Sequence, residues 1–212
     1  MKKSILGVAL AVCCVSTANA QLHRRSSSFA GLKAGGTASS FLGNDANKNM
    51  RYIYGFNAGI FANLALAQPF SIQPELLYSM KGAQDAIGYS DATVWLTYID
   101  VPVAFRATST AGFFLEAGPQ IGFLLSAKTD ATGEKINVKS AYSNVDIGFV
   151  LGAGYQPTKG GLGIGGRYNG GFKTILKDPV DGTAARDVTN SAFQIYLTYS
   201  RPTTHKPKRK DK

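Results

Sequence analysis

From Phe29 to Tyr199, apolar residues recur at every second position through eight segments of about ten residues. The clearest run is Val145, Ile147, Phe149, Leu151, Ala153 and Tyr155, interleaved with Asn144, Asp146, Gly148, Val150, Gly152 and Gly154. Side chains along a β-strand point alternately to opposite faces, so each segment carries one oily face and one small or polar face. Segments of this length match the roughly 9–11 residues that a tilted strand needs to cross a bilayer.

The N-terminus agrees with passage through a membrane. Lys2 and Lys3 precede an apolar run from Ile5 to Val15, and Ala18-Asn19-Ala20 has the small-x-small pattern that signal peptidase cuts. Residues 1–20 are therefore expected to be a cleaved signal peptide, with 21–28 a short lead-in to a barrel over 29–200 and 201–212 a basic C-terminal tail. Cys13 and Cys14 leave with the signal, so no disulfide framework holds the mature fold. Cleavage also lowers the formal net charge from +10 to +8. Arg201, Lys206, Lys208, Arg209, Lys210 and Lys212 against Asp211 place +5 of that in the tail, so the barrel body is nearly balanced.

Strands are predicted near 29–37, 52–64, 69–81, 93–106, 112–126, 142–156, 161–173 and 190–200. The linkers between them alternate. Thr37 to Arg51, Gly82 to Ala92, Ala127 to Ala141 and Thr174 to Thr189 are long and polar, whereas Ala65 to Gln68, Ala107 to Ala111 and Pro157 to Gly160 are short. That is the pattern of an outer-membrane barrel with short periplasmic turns and long extracellular loops. The fold class predicted is all-β, an eight-stranded antiparallel up-and-down transmembrane barrel in the bacterial outer membrane, with both termini periplasmic.

The lipid-facing set runs through Leu32, Ile60, Leu76, Val101, Leu115, Leu151, Ile164 and Leu197. Aromatics gather at segment ends: Tyr54, Trp95, Phe123, Phe172 and Phe193 above, with Phe70, Phe105, Phe113, Tyr155 and Tyr199 below. Two such belts are expected where a barrel meets the two membrane interfaces. A soluble lipocalin-like barrel would invert the faces. Pro74, Pro102 and Pro119 fall inside strands, where each removes a ladder donor, so bulges are expected there.

Six stretches in order resemble a known family: Gly31-Leu32-Lys33-Ala34-Gly35, Ile72-Gln73-Pro74-Glu75-Leu76-Leu77-Tyr78, Tyr98-Ile99-Asp100-Val101-Pro102-Val103, Glu116-Ala117-Gly118-Pro119, Leu151-Gly152-Ala153-Gly154-Tyr155 and Gly166-Arg167-Tyr168-Asn169. They are similar to the small outer-membrane β-barrels of Gram-negative bacteria grouped under porin family or PorT-like names, which carry an outer membrane protein beta-barrel domain. The resemblance covers the whole mature barrel and implies its fold. It leaves function open, and this chain departs from the family's pattern by running on past Tyr199 into the basic tail.

On the inward face the predicted charged residues are Lys33, Glu75, Asp100, Arg106, Glu116, Asp146 and Arg167. Counted from segment ends, Lys33, Glu75, Asp100 and Arg167 fall near mid-height, Glu116 lower and Asp146 higher. An eight-stranded interior is just wide enough for side chains to fill, and opposite charges at one level inside it would pair. Catalysis is not expected. Acyl hydrolysis usually needs a base beside its nucleophile, and the mature chain offers only His23 and His205, both outside the barrel. The same shortage of His and Cys argues against zinc, the loop acids show no calcium-loop spacing, and no cofactor is expected.

Expected partners are outer-membrane lipid and lipopolysaccharide, with an anionic periplasmic partner for the tail. Lys206-Pro207-Lys208-Arg209-Lys210 follows a signal peptide, so nucleic acid is not expected, and a monomer is. The expected role is non-enzymatic, structural or surface-interacting through the extracellular loops. The alternatives are a narrow solute channel and a component of a secretion or envelope assembly.

Overall fold

A computed structural model describes residues 28–43, 51–84, 93–130, 135–177 and 187–203. The expected leader and its expected cleavage site, both histidines, and the tail beyond Thr203 lie outside the described residues. Strands β1 (Phe29–Leu42), β2 (Ile53–Ala65), β3 (Phe70–Gln84), β4 (Thr93–Thr108), β5 (Phe113–Asp130), β7 (Val145–Tyr155), β8 (Gly161–Gly171) and β9 (Thr189–Pro202) pair with their neighbours in sequence. β1 also pairs with β9, closing the sheet into an antiparallel up-and-down barrel of eight staves. A ninth strand, β6 (Lys135–Asn137), adds a short hairpin to the end of β5.

The register fixes the strand tilt. From Ala38 the pairing partners run through Phe193, Tyr168, Leu151, Ala117, Phe105, Ile72 and Leu64. Leu64 lies one residue past the partner of Phe29, so the circuit returns to β1 at Ser28, ten residues from its start. Eight strands with that stagger lean about 40° from the barrel axis, given the usual spacings along and between strands.

The alternation sorts the two faces as the sequence predicted. Leu32, Ile60, Leu115, Leu162, Ile195 and Leu197 project outward and are more than half exposed. Both aromatic belts also lie outside. Near the end with long connections Phe149 stacks on Phe172 with centroids 5.0 Å apart, and Tyr168 packs on Phe193 at 5.0 Å. At the short-turn end Phe113 meets Tyr155 edge-on at 5.4 Å.

Three local expectations are corrected. β1 continues to Leu42 because Ser39, Ser40 and Phe41 pair with Ala192, Ser191 and Asn190; the Ser-Ser pair broke the alternation and read as loop. β7 starts at Val145, since residues 139–141 form a 3-10 turn that folds Tyr142 toward the axis. No bulge forms at the prolines: Pro74 faces Val103, Pro102 faces Gln120 and Pro119 faces Phe149 in unbroken registers. A missing N–H deletes one ladder bond without inserting a residue, and the one register shift between β4 and β5 lies at Thr97/Tyr98.

Candidate functional site

The polar face of each strand fills the lumen, and its charged side chains fall into levels. All seven predicted interior residues are buried, none more than 5% exposed. At the middle level Lys33 Nζ donates to Glu75 Oε1 at 2.5 Å and Arg167 Nη1 to Glu75 Oε2 at 2.8 Å. Gln73 Nε2 also donates to Glu75 Oε1 at 2.7 Å, and Arg167 Nε to Gln194 Oε1 at 2.8 Å. One carboxylate from β3 thus gathers cations from β1 and β8 across the barrel.

Toward the short-turn end Arg106 Nη2 donates to Glu116 Oε2 at 2.7 Å while its guanidinium lies 3.7 Å from the centre of the Phe114 ring. Tyr196 ties the two levels together. Its hydroxyl donates to Glu116 Oε1 at 2.9 Å and its ring centre sits 4.0 Å from Lys33 Nζ. The neighbouring strand makes room for it with Gly165, where a Cβ would come within 2.6 Å of the tyrosine ring.

Toward the end with long connections lies a third level that the sequence reading only half foresaw. Lys81 Nζ pairs with Asp100 at 2.9 Å. Asn190 Nδ2 donates to Asp146 Oδ2 at 2.8 Å and to Tyr98 Oη at 3.2 Å. Asn169 Nδ2 donates to Gln120 Oε1 at 3.0 Å. Asp100 therefore does not join Lys33, Glu75 and Arg167, as counting from strand ends had placed it. Strands leaning about 40° bring together residues that lie at different distances from their own ends. Lys81 continues the inward series Ser71, Gln73, Glu75, Leu77, Ser79, but it stands at the predicted strand end beside a polar connection, so the sequence alone does not mark it as interior. With it, the described lumen holds four cations (Lys33, Lys81, Arg106, Arg167) and four carboxylates (Glu75, Asp100, Glu116, Asp146) and is neutral overall.

Above this level the lumen turns apolar. Phe41, Val94, Leu96, Tyr98, Leu124, Ala127, Tyr142, Ile175 and Val188 form one buried cluster, with Val138 and Leu176 packed against it. Its loop residues are pinned by backbone bonds: Ser143 N to Ile175 O at 2.7 Å, Ile175 N to Val188 O at 2.8 Å and Lys177 N to Ala141 O at 3.0 Å. Burial pushes the Tyr142 hydroxyl up to about 12, so it stays protonated and neutral at any physiological pH. The cap went unseen in the sequence because Phe41, Tyr142, Ile175 and Val188 sit where the polar connections begin and end.

The chemistry of this interior is charge pairing and packing. Among the described residues no three His, Cys, Asp or Glu side chains converge as metal ligands.

The family model for the outer membrane protein beta-barrel domain matches residues 19–177. No curated protein matches the chain. Among solved structures, Neisserial surface protein A (NspA) is similar at 10% identity and a TM-score of 0.52, over 81% of this chain and 96% of that one. Ail, the attachment invasion locus protein of Yersinia pestis, solved in complex with the heparin analogue sucrose octasulfate, aligns at 14% identity and a TM-score of 0.46, over 82% and 99%. OprG of Pseudomonas aeruginosa aligns at 8% identity and a TM-score of 0.46, over 84% and 97%. At such identity the likeness to the neisserial protein is one of fold.

Proposed function

The chain belongs to the outer membrane protein beta-barrel domain family, and from that premise we propose that it is a sealed, non-enzymatic barrel that works through its surface. Membership puts it in the bacterial outer membrane. The observation that carries the proposal is the construction of the lumen. Seven of its eight described charges form ion pairs within the barrel and the eighth, Asp146, accepts from Asn190, so they do not line a path, and the apolar cluster of Phe41, Leu96, Tyr142, Ile175 and Val188 stoppers the end with long connections. Water and ions avoid an apolar constriction, so such a cap opposes conduction.

The long connections are extracellular and both termini periplasmic, an orientation that rests on the usual disposition of short turns and long loops in such barrels. The barrel acts as a monomer, its outer face solvated by lipid and lipopolysaccharide, with the extracellular loops left to meet external partners. The basic tail, carrying +5 from Arg201 to Lys212, then reaches anionic groups on the periplasmic side.

A deletion strain compared with its parent for adhesion, solute permeability and protein secretion tests this role. The proposal expects a change in surface adhesion with permeability and secretion unaltered. Reduced uptake of small solutes would favour a channel, and a secretion defect would favour an assembly component.

A further inference from the structure

The levels of the lumen balance only in sum. Lys33, Arg106 and Arg167 outnumber Glu75 and Glu116 in the lower two, so the upper level, with Lys81 against Asp100 and Asp146, is left one negative charge in excess. That excess is localised. Lys81 is committed to Asp100, and no cationic side chain among the described residues forms an ion pair with Asp146.

Beside Asp146 lies a partly open cavity of about 10 Å³, the room that one water-sized sphere takes up. Asp146, Asn169, Asn190, Gln120 and Lys81 line it, together with Gly148, Gly170, Gly171 and Ala192. Three of the lining side chains carry a buried oxygen without a hydrogen-bond partner: Asp146 Oδ1, Asn169 Oδ1 and Asn190 Oδ1. Each residue is at least 95% buried and is held by its other polar atom, Asp146 Oδ2 and Asn190 Nδ2 to each other and Asn169 Nδ2 to Gln120. Unsatisfied buried acceptors each cost about 1–3 kcal/mol, so three around one cavity call for an occupant.

We propose that this cavity is a cation site, taking one sodium-sized monovalent ion on Asp146 Oδ1, Asn169 Oδ1 and Asn190 Oδ1. Carboxylate and amide oxygens are the ligands that hard cations prefer. A single positive charge cancels the surplus of the level, whereas a divalent ion would leave it positive beside the Lys81 ammonium. A water molecule has two protons for three acceptors and supplies no charge. A proton on Asp146 together with one water would satisfy all three oxygens, and that is the rival occupant from which the sodium test separates an ion. Because the site bridges β7, β8 and β9, the ion would tie together three staves just beneath the cap.

Thermal unfolding of the barrel, refolded and assayed in detergent with sodium chloride or with choline chloride at equal ionic strength, tests the site. Choline is too large to enter. At 100 times the dissociation constant, sodium should raise Tm by several degrees over choline, and Asp146→Asn should remove that difference while folding in both salts. Equal Tm values for the unmodified barrel would overturn the proposal and leave water or a protonated Asp146 as the occupant. A sodium effect retained in Asp146→Asn would overturn it too. Should that variant fail to fold, excess 23Na relaxation on the unmodified barrel, weakened by Asn169→Ala, supports the site; relaxation equal to that of empty micelles refutes it.

Discussion

Glu75 is the keystone of the lumen, and neutralising it should cost more than removing either of its cations. Its two oxygens hold Lys33 at 2.5 Å and Arg167 at 2.8 Å, all three side chains fully buried. Glu75→Gln preserves shape and leaves no cavity, so its effect is electrostatic. Lys33 and Arg167 are then left facing one another, with Glu116 already engaged by Arg106 at 2.7 Å. Breaking one buried pair costs about 3–5 kcal/mol, and stranding two cations puts Glu75→Gln at or above the top of that range. Arg167→Gln differs in kind. Glu75 keeps Lys33 and Gln73, so the loss is the charge-assisted bond to Glu75 and the bond to Gln194, about 2–3 kcal/mol. The double variant leaves Lys33 alone and should recover part of the Glu75→Gln loss. Urea titrations in detergent, read from the mobility difference between unheated and boiled samples, give the comparison. Arg167→Gln costing as much as Glu75→Gln, or a double variant no better than Glu75→Gln, would refute the shared-anion arrangement.

Leu151→Arg puts a charge on the lipid face, where Leu151 is 58% exposed, and should destabilise the barrel in bilayers by about 2–4 kcal/mol; Thr158→Arg in a short turn should cost little by the same titration. An epitope tag in the turn at 157–160 should stay hidden on intact cells and become reactive once the outer membrane is opened, whereas one between Thr174 and Thr189 should be reached from outside. Ile175→Ala should lower stability by about 2–4 kcal/mol through the cavity left in the cap, and speed hydrogen exchange of the amides of Ser143 and Lys177, which a solvent-lined mouth would not show.

Most of the barrel was legible because its signal is local and repetitive. A period of two assigns every residue from Val145 to Tyr155 to a face without knowledge of its partners, and linker lengths alone fix the up-and-down order. The polar face was nearly as plain, down to seven of the eight buried charges, with Lys81 the exception. What was not legible depended on the stagger. Asp100 and Lys33 look level when counted along separate strands, yet a return ten residues away from the start sets Asp100 beside Lys81. No single strand encodes that stagger, which arises only on closure. The cap was hidden for a different reason. Tyr142 and Ile175 lie in connections, where apolar residues carry no period, and only the fold of the chain back into the mouth shows that they are core.

The most direct test of a sealed lumen is the conductance of the unmodified, purified barrel in planar bilayers. With four cations and four carboxylates filling the interior and an apolar stopper above them, the account predicts a membrane that stays electrically silent after insertion is verified by protease protection. A steady, ion-selective conductance that vanishes on neutralising Glu75 or Arg167, with the barrel still folded, would contradict it.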